Sequence, residues 1–258
     1  MAPWLKTLVA SCALALVAGA AHAQNLVPLN SDTEKDRINW SELQEKFGAV
    51  PAAPAGTRIG GVSKTLTNEY WRSLGEGYQS YAKKAGVEVV YQAAPSEGDQ
   101  LGQLSIAENL ILQGFNVLLV SPQTDSNLQP AMEKAEADGI PVINVNDAVI
   151  PSARHYVGNV QRDNGVRVAK WFLKNRPQGG KVAVIEGQAG VFAAGQRTKG
   201  FTATIQEGGK FTVVASVPGN WDRQLAYDAA ATVLQQNPDL VGFYANNDGM
   251  ALGVVEAV

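Results

Sequence analysis

From Arg58 onward the chain alternates short apolar runs with amphipathic stretches, one pair every ~25–35 residues, which restricts it to parallel α/β architecture. The apolar runs predict strands at Ile59–Ser63, Val87–Tyr91, Val117–Val120, Pro141–Val145, Tyr156–Gly158, Lys181–Ile185, Phe211–Val217 and Val241–Tyr244. Helices are expected at Glu69–Ala85, Gln100–Gln113, around Leu128, Met132 and Ala135, then at Gly165–Asn175, Ala194–Gln206 and Arg223–Gln236, with a last one beginning near Met250. Leu74, Tyr78 and Tyr81 form the expected core stripe of the first helix, and Leu101, Leu104, Ala107 and Ile111 that of the second. One sheet of seven or eight strands would accommodate the pattern. The short Tyr156–Asn164 stretch interrupts the rhythm and favours two lobes.

The turns between strand and helix are where function is expected, because open parallel sheets bind ligands at their carboxyl edge. In Val241–Gly253 a buried apolar run breaks into Asn246, Asn247 and Asp248 before a helix resumes. Comparable clusters follow other strands: Asn68, Tyr70 and Trp71 after the first, Asn146 and Asp147 after the fourth, Arg197 after the sixth, Trp221 and Asp222 after the seventh. Amides, a carboxylate, a guanidinium and flat rings suit a neutral sugar, whose hydroxyls need fixed donors and acceptors and whose C–H face packs on an aromatic ring. Each residue also has a plainer reading. Asn68 and Asp222 fit as helix caps, Arg197 as a solvated mid-helix charge, and one of Tyr70 and Trp71 as core. Trp221, just before a helix start, is expected to be exposed. Trp171 and Phe172 read as core, and Trp40 as packing an N-terminal arm.

Residues 1–23 do not belong to this pattern. Lys6, the apolar run Leu8–Val17 and Ala21-His22-Ala23 read as a secretory signal peptide, the run being too short to span a bilayer. Its removal deletes Cys12 and His22, which leaves no cysteine and a single histidine, His155; disulfides, Cys/His zinc sites and cysteine nucleophiles are then excluded. Losing Lys6 from the 21 Lys and Arg leaves 20 against 24 Asp and Glu, with no block of like charge, which argues against nucleic acid or an anionic membrane surface as partner. Residues 24–56 read as an arm with a short amphipathic helix, Ser41–Phe47, and a Pro/Ala/Gly linker. Lobes are expected at 57–159 and 160–258. The second is expected to be incomplete, because the last helix stops without a terminating signal.

Enzyme motifs are missing. There is no Gly-x-Ser-x-Gly elbow for His155 to serve, no phosphate loop, and no dinucleotide fingerprint after the first strand, so neither a catalytic residue nor a cofactor or metal is expected. Asp147 and Asp248 serve better as binding groups or caps than as an acid/base pair.

Four stretches carry a family resemblance: Ile59–Trp71 (IGGVSKTLTNEYW), Pro141–Asp147 (PVINVND), Ala193–Phe201 (AAGQRTKGF) and Tyr244–Gly253 (YANNDGMALG). In this order they resemble the ribose/galactose class of periplasmic sugar-binding proteins, the type I periplasmic binding proteins that feed ABC importers. The resemblance covers about Arg58 to Val258. It implies two Rossmann-like three-layer lobes with parallel sheets, joined by a hinge of three crossovers, with a monosaccharide or polyol in the cleft. By motif position it implies ligand contacts at Asn68, Tyr70, Trp71, Asn146, Asp147, Arg197, Trp221 and Asn247. Asn146-Asp147 stands where the family usually has Asp-Arg, which removes a guanidinium from the first lobe. The implied partner is a membrane permease, the implied location the periplasm, and the protein is expected to be monomeric. A sugar-signal receptor is the rival reading and a secreted carbohydrate enzyme a more distant one. A lactose-repressor-type regulator would need a DNA-binding segment where the leader stands.

Overall fold

The computed structural model describes residues 38–146 and 148–258. The leader at 1–23, the first part of the arm and Asp147 lie outside the described residues. The arm shows a turn of 3-10 helix at Trp40–Glu42 running into α1, Leu43–Phe47. Trp40 and Phe47 are both exposed, so Trp40 does not pack the arm down as the sequence suggested.

Two parallel sheets follow. The first contains β1 (Arg58–Ser63), β2 (Glu88–Ala93), β3 (Val117–Val120), β4 (Val142–Val145) and β5 (Tyr156–Val157) in the order β2-β1-β3-β4-β5. Its crossovers carry α2 (Glu69–Ala85), α3 (Gln100–Leu112) and α4 (Gln129–Ala137). The second contains β6 (Gly180–Glu186), β7 (Phe211–Pro218) and β8 (Leu240–Ala245) in the order β7-β6-β8. It is flanked by α5 (Gln161–Asn175), α6 (Phe192–Gln206), α7 (Arg223–Gln236) and α8 (Asp248–Ala257). The strands pair in parallel within two separate sheets, so the two-lobed reading stands and the single-sheet one falls.

Local chemistry sets several boundaries. The Asn68 side chain accepts from the Tyr70 amide to start α2, and Gly86 ends it in the left-handed region at φ 68°. The Asp222 and Asn247 side chains cap α7 and α8 in the same way.

The buried stripes differ from expectation in three places. In α2 the inward positions are Trp71, Gly75 and Ala82, while Tyr81 is 63% exposed. The helix is turned by Tyr91 of β2: its ring packs where a Cβ on Gly75 would stand 2.5 Å away, and its hydroxyl donates to the Trp71 carbonyl. In α3 Leu101 is exposed because Gln103 takes the inward position, donating to the Ser63 and Ser121 carbonyls at the ends of β1 and β3. In α5 Phe172 meets Phe201 and Phe211 edge-on inside, which leaves Trp171 outside.

Tyr244 of β8 stacks on Phe201 at 4.4 Å, and burial pushes its hydroxyl up to about 12. The folded chain keeps that proton while the unfolded chain loses it near pH 10. Stability is therefore full below about pH 10 and falls as pH rises towards about 12, by on the order of 2–3 kcal/mol. Urea titrations at pH 8 and pH 11 should show a smaller alkaline loss in Tyr244→Phe; equal losses would remove Tyr244 as the cause.

Candidate functional site

The carboxyl ends of both sheets face one another, and the polar turns meet there. Lys64, directly after β1, is fully buried. Its ammonium lies 5.8 Å from the Trp71 ring of the first lobe and 6.0 Å from the Trp221 ring of the second. At these distances a cation is attracted to the negative face of each ring, which offsets part of the cost of burying it. The Lys64 ammonium is thus held between two indoles, one from each lobe.

The first-lobe wall is tightly tied. Glu97 accepts from Trp71 Nε1 at 3.0 Å and from Asn68 Nδ2 at 3.5 Å, which fixes the indole plane. Beneath it Gln123 donates to the Lys64 and Ser96 carbonyls and accepts from the Gly98 amide. Two buried glutamines, Gln103 and Gln123, thus supply donors to buried backbone carbonyls at and beyond the strand ends. Tyr70 is half-exposed and its hydroxyl pairs with Asn146 Nδ2.

Asn146 directly follows β4 with φ 50°, and its Oδ1 accepts from Gln161 Nε2 at 3.0 Å. The turn beyond is pinned by Asn144, which donates to the Ala148 carbonyl and accepts from the Ile150 amide. Ala148 itself is buried in the second lobe's apolar cluster beside Val191 and Ala193. The lobes also approach at Gly98, where a Cβ would stand 3.3 Å from Gln188 Nε2.

In the second lobe Arg197 is half-buried. Its Nε donates to Gln161 Oε1 at 2.9 Å and its Nη1 to the Asn246 carbonyl at 2.9 Å, and its guanidinium stands 5.8 Å from the Trp221 ring. Asn246 Oδ1 accepts from the Gly187 amide and the Thr198 hydroxyl. Trp221 is 92% buried rather than exposed, since its relative exposure is 8%. It holds φ 67°, a left-handed conformation that bulky residues rarely adopt, and its ring lies over Gly187, where any side chain would collide at 2.2 Å. Trp221 Nε1 and Asn246 Nδ2 are buried donors with no hydrogen-bond partner among the described residues.

The structure therefore brings Asn68, Tyr70, Trp71 and Asn146 from one side to the same cleft as Arg197 and Trp221 from the other. Asn247 sits at that edge, and its Oδ1 is committed to the Met250 amide as a helix cap. Asp147 lies outside the described residues. Lys64, Glu97 and Gln161 were not singled out from the sequence, whereas Asn246 was read there only as part of the polar turn after the last strand. Lys64 and Asn246 stand inside motifs read there; Glu97 sits in a loop and Gln161 at a helix start, with nothing local to mark them.

Strong side-chain donors crowd an aromatic-walled cleft between two hinged lobes, which defines a two-lobed solute-binding protein. The chain belongs to the periplasmic binding protein family: the profile of the periplasmic binding protein domain matches residues 59–258. It is 35% identical over 206 residues to the D-allose-binding periplasmic protein of Escherichia coli K12, covering 76% of this chain and 66% of that one. It is 33% identical to the ribose import binding protein of Bacillus subtilis 168, covering 78% and 65%. Among solved structures, an ABC transporter periplasmic solute-binding protein from Actinobacillus succinogenes with bound D-allose superposes with TM-score 0.75 at 31% identity, covering 78% of this chain and 73% of that one. The chain spans about two thirds of the length of the curated relatives it matches.

Proposed function

We propose that the protein captures a monosaccharide or related polyol between its lobes and delivers it to the membrane permease of an ABC importer. The observation that carries the reading is the pair of indoles, Trp71 and Trp221, presented by opposite lobes to one point, with Trp221 Nε1 and Asn246 Nδ2 left as buried donors. A polyhydroxylated ring supplies apolar faces for the indoles and oxygens for the donors. Lys64, Asn68, Tyr70, Asn146, Asp147, Arg197 and Asn247 complete the proposed contact set. We assign residues 1–23 to a leader, 24–56 to an arm, 57–159 to the first lobe and 160–258 to the second, with the mature protein acting as a monomer in the periplasm. The sugars named for its relatives, D-allose and D-ribose, are the first candidates.

Capture follows from differential affinity. A sugar touching both lobes binds the closed form better than the open one and shifts the population by that difference. Micromolar binding requires about 8 kcal/mol, which a few hydrogen bonds to charged groups at about 1.5–3 kcal/mol each and stacking on the indoles can supply. Calorimetry with D-allose, D-ribose and xylitol should give micromolar or tighter binding for at least one, and Arg197→Ala should weaken it about tenfold or more. No heat with any of them would sink the capture reading; an unchanged dissociation constant in Arg197→Ala would take that residue out of the site.

A further inference from the structure

A continuous line of hydrogen bonds crosses from one lobe to the other beside the cleft. It starts at the Tyr70 hydroxyl on α2, passes to Asn146 Nδ2, and continues from Asn146 Oδ1 to Gln161 Nε2. It leaves Gln161 through Oε1, which accepts from Arg197 Nε, and ends where Arg197 Nη1 donates to the Asn246 carbonyl after β8. The central member, Gln161, is 1% exposed and is the first residue of α5, joined through Gly158, Asn159 and Val160 to the Tyr156–Val157 strand.

We infer that Gln161 is a positioning residue for the binding site: it aims Arg197 into the cleft and ties that aim to the crossover through Asn146. The inference rests on the capture reading above. An amide is suited to the task because its two ends differ. Its oxygen can only accept, and it meets a guanidinium that can only donate; its nitrogen donates to the Asn146 oxygen at 3.0 Å and to the Tyr156 hydroxyl at 3.3 Å. Burial makes each of these bonds costly to leave unmade. The backbone supports the same coupling. Gly165, one turn along α5, lies against α6 so closely that a Cβ there would stand 2.0 Å from the Arg197 carbonyl oxygen. Arg197 is therefore carried by α5 through both its backbone and its side chain. Any swing of the second lobe about the crossover alters the Gln161–Asn146 link.

The test is a double-mutant cycle read as dissociation constants for whichever of D-allose, D-ribose and xylitol the wild type binds most tightly. Gln161→Met, which keeps the length and loses both polar ends, should weaken binding about tenfold in the wild-type background and less than about twofold in Arg197→Ala, because the aim no longer matters once the guanidinium is gone. Gln161→Glu retains the acceptor for Arg197 but loses the donor to Asn146 Oδ1, so it should weaken binding by about threefold, less than Gln161→Met. Equal losses from Gln161→Met in both backgrounds, or no loss in either, would overturn the positioning role while leaving sugar capture standing. A wild type that binds none of the three would overturn the capture reading and this inference with it.

Discussion

Trp221→Ala should lose at least ~3 kcal/mol of folding free energy and take sugar binding below detection. The two effects share one cause. The indole belongs to the second lobe's apolar cluster with Ile185, Val191, Ala194 and Met250, and it also forms that lobe's wall of the cleft. Truncating a buried tryptophan removes its transfer free energy and leaves a cavity, together about 3–5 kcal/mol. Alanine does not recover the cost of φ 67°, since it avoids the left-handed region as other L-residues do. Phenylalanine separates the contributions: Trp221→Phe keeps a ring for the core and for stacking but removes the Nε1 donor, and should be nearer to wild type in stability than in affinity. Urea unfolding and calorimetry on both variants decide it. A Trp221→Ala protein of wild-type stability would show that the ring is not core, and one of wild-type affinity would show that it is not a wall of the site.

Gly165→Val should be among the most damaging single changes outside the cleft. The contact there is backbone against backbone: a Cβ on Gly165 would stand 2.0 Å from the Arg197 oxygen and 2.5 Å from the Phe201 nitrogen, and the reciprocal Cβ on Gly200 would meet the Arg162 oxygen at 2.2 Å. No rotamer change relieves such a collision, so α5 and α6 must part. Overpacking a well-fitted interior costs typically 1–3 kcal/mol, and a site that can move only whole helices should reach about 3 kcal/mol or more. Arg197 would be displaced with its helix, so affinity should fall as well. Gly77 on α2 is the control, because a Cβ there meets nothing within 4 Å; Gly77→Ala should be neutral or raise stability by up to ~1 kcal/mol. Thermal and urea unfolding of both variants check the contrast, which disappears if Gly165→Val melts with the wild type.

Much of the scaffold was legible because its signals are local. Asn68 and Gly86 bracket α2, and Asp222 caps α7, so both helices could be read to the residue. What failed was set by tertiary contact. Leu101 fits an apolar stripe, but the inward position goes to Gln103, which serves carbonyls at two strand ends. Trp221 precedes a helix start, where exposure is usual, and only Gly187 on the neighbouring strand end makes room for it to fold inward.

The site follows the same division. Its motif residues could be picked out because polar clusters after apolar runs mark the carboxyl edge of a sheet. Glu97 and Gln161 could not, since each acquires its role from partners 26 and 36 residues away, Trp71 and Arg197. Lys64 is the instructive omission. A lysine directly after a strand that ends in four buried residues had little chance of reaching solvent, and that alone marked it for the cleft.

The position of the Lys64 ammonium between Trp71 and Trp221 has an optical consequence. Indole emission responds to nearby charge, and here one cation sits about 6 Å from two of the protein's five tryptophans. Any guest that moves the ammonium, or slides between it and a ring, changes the local field at both chromophores together. The ultraviolet fluorescence of the unlabelled protein should therefore serve as its own gauge of occupancy.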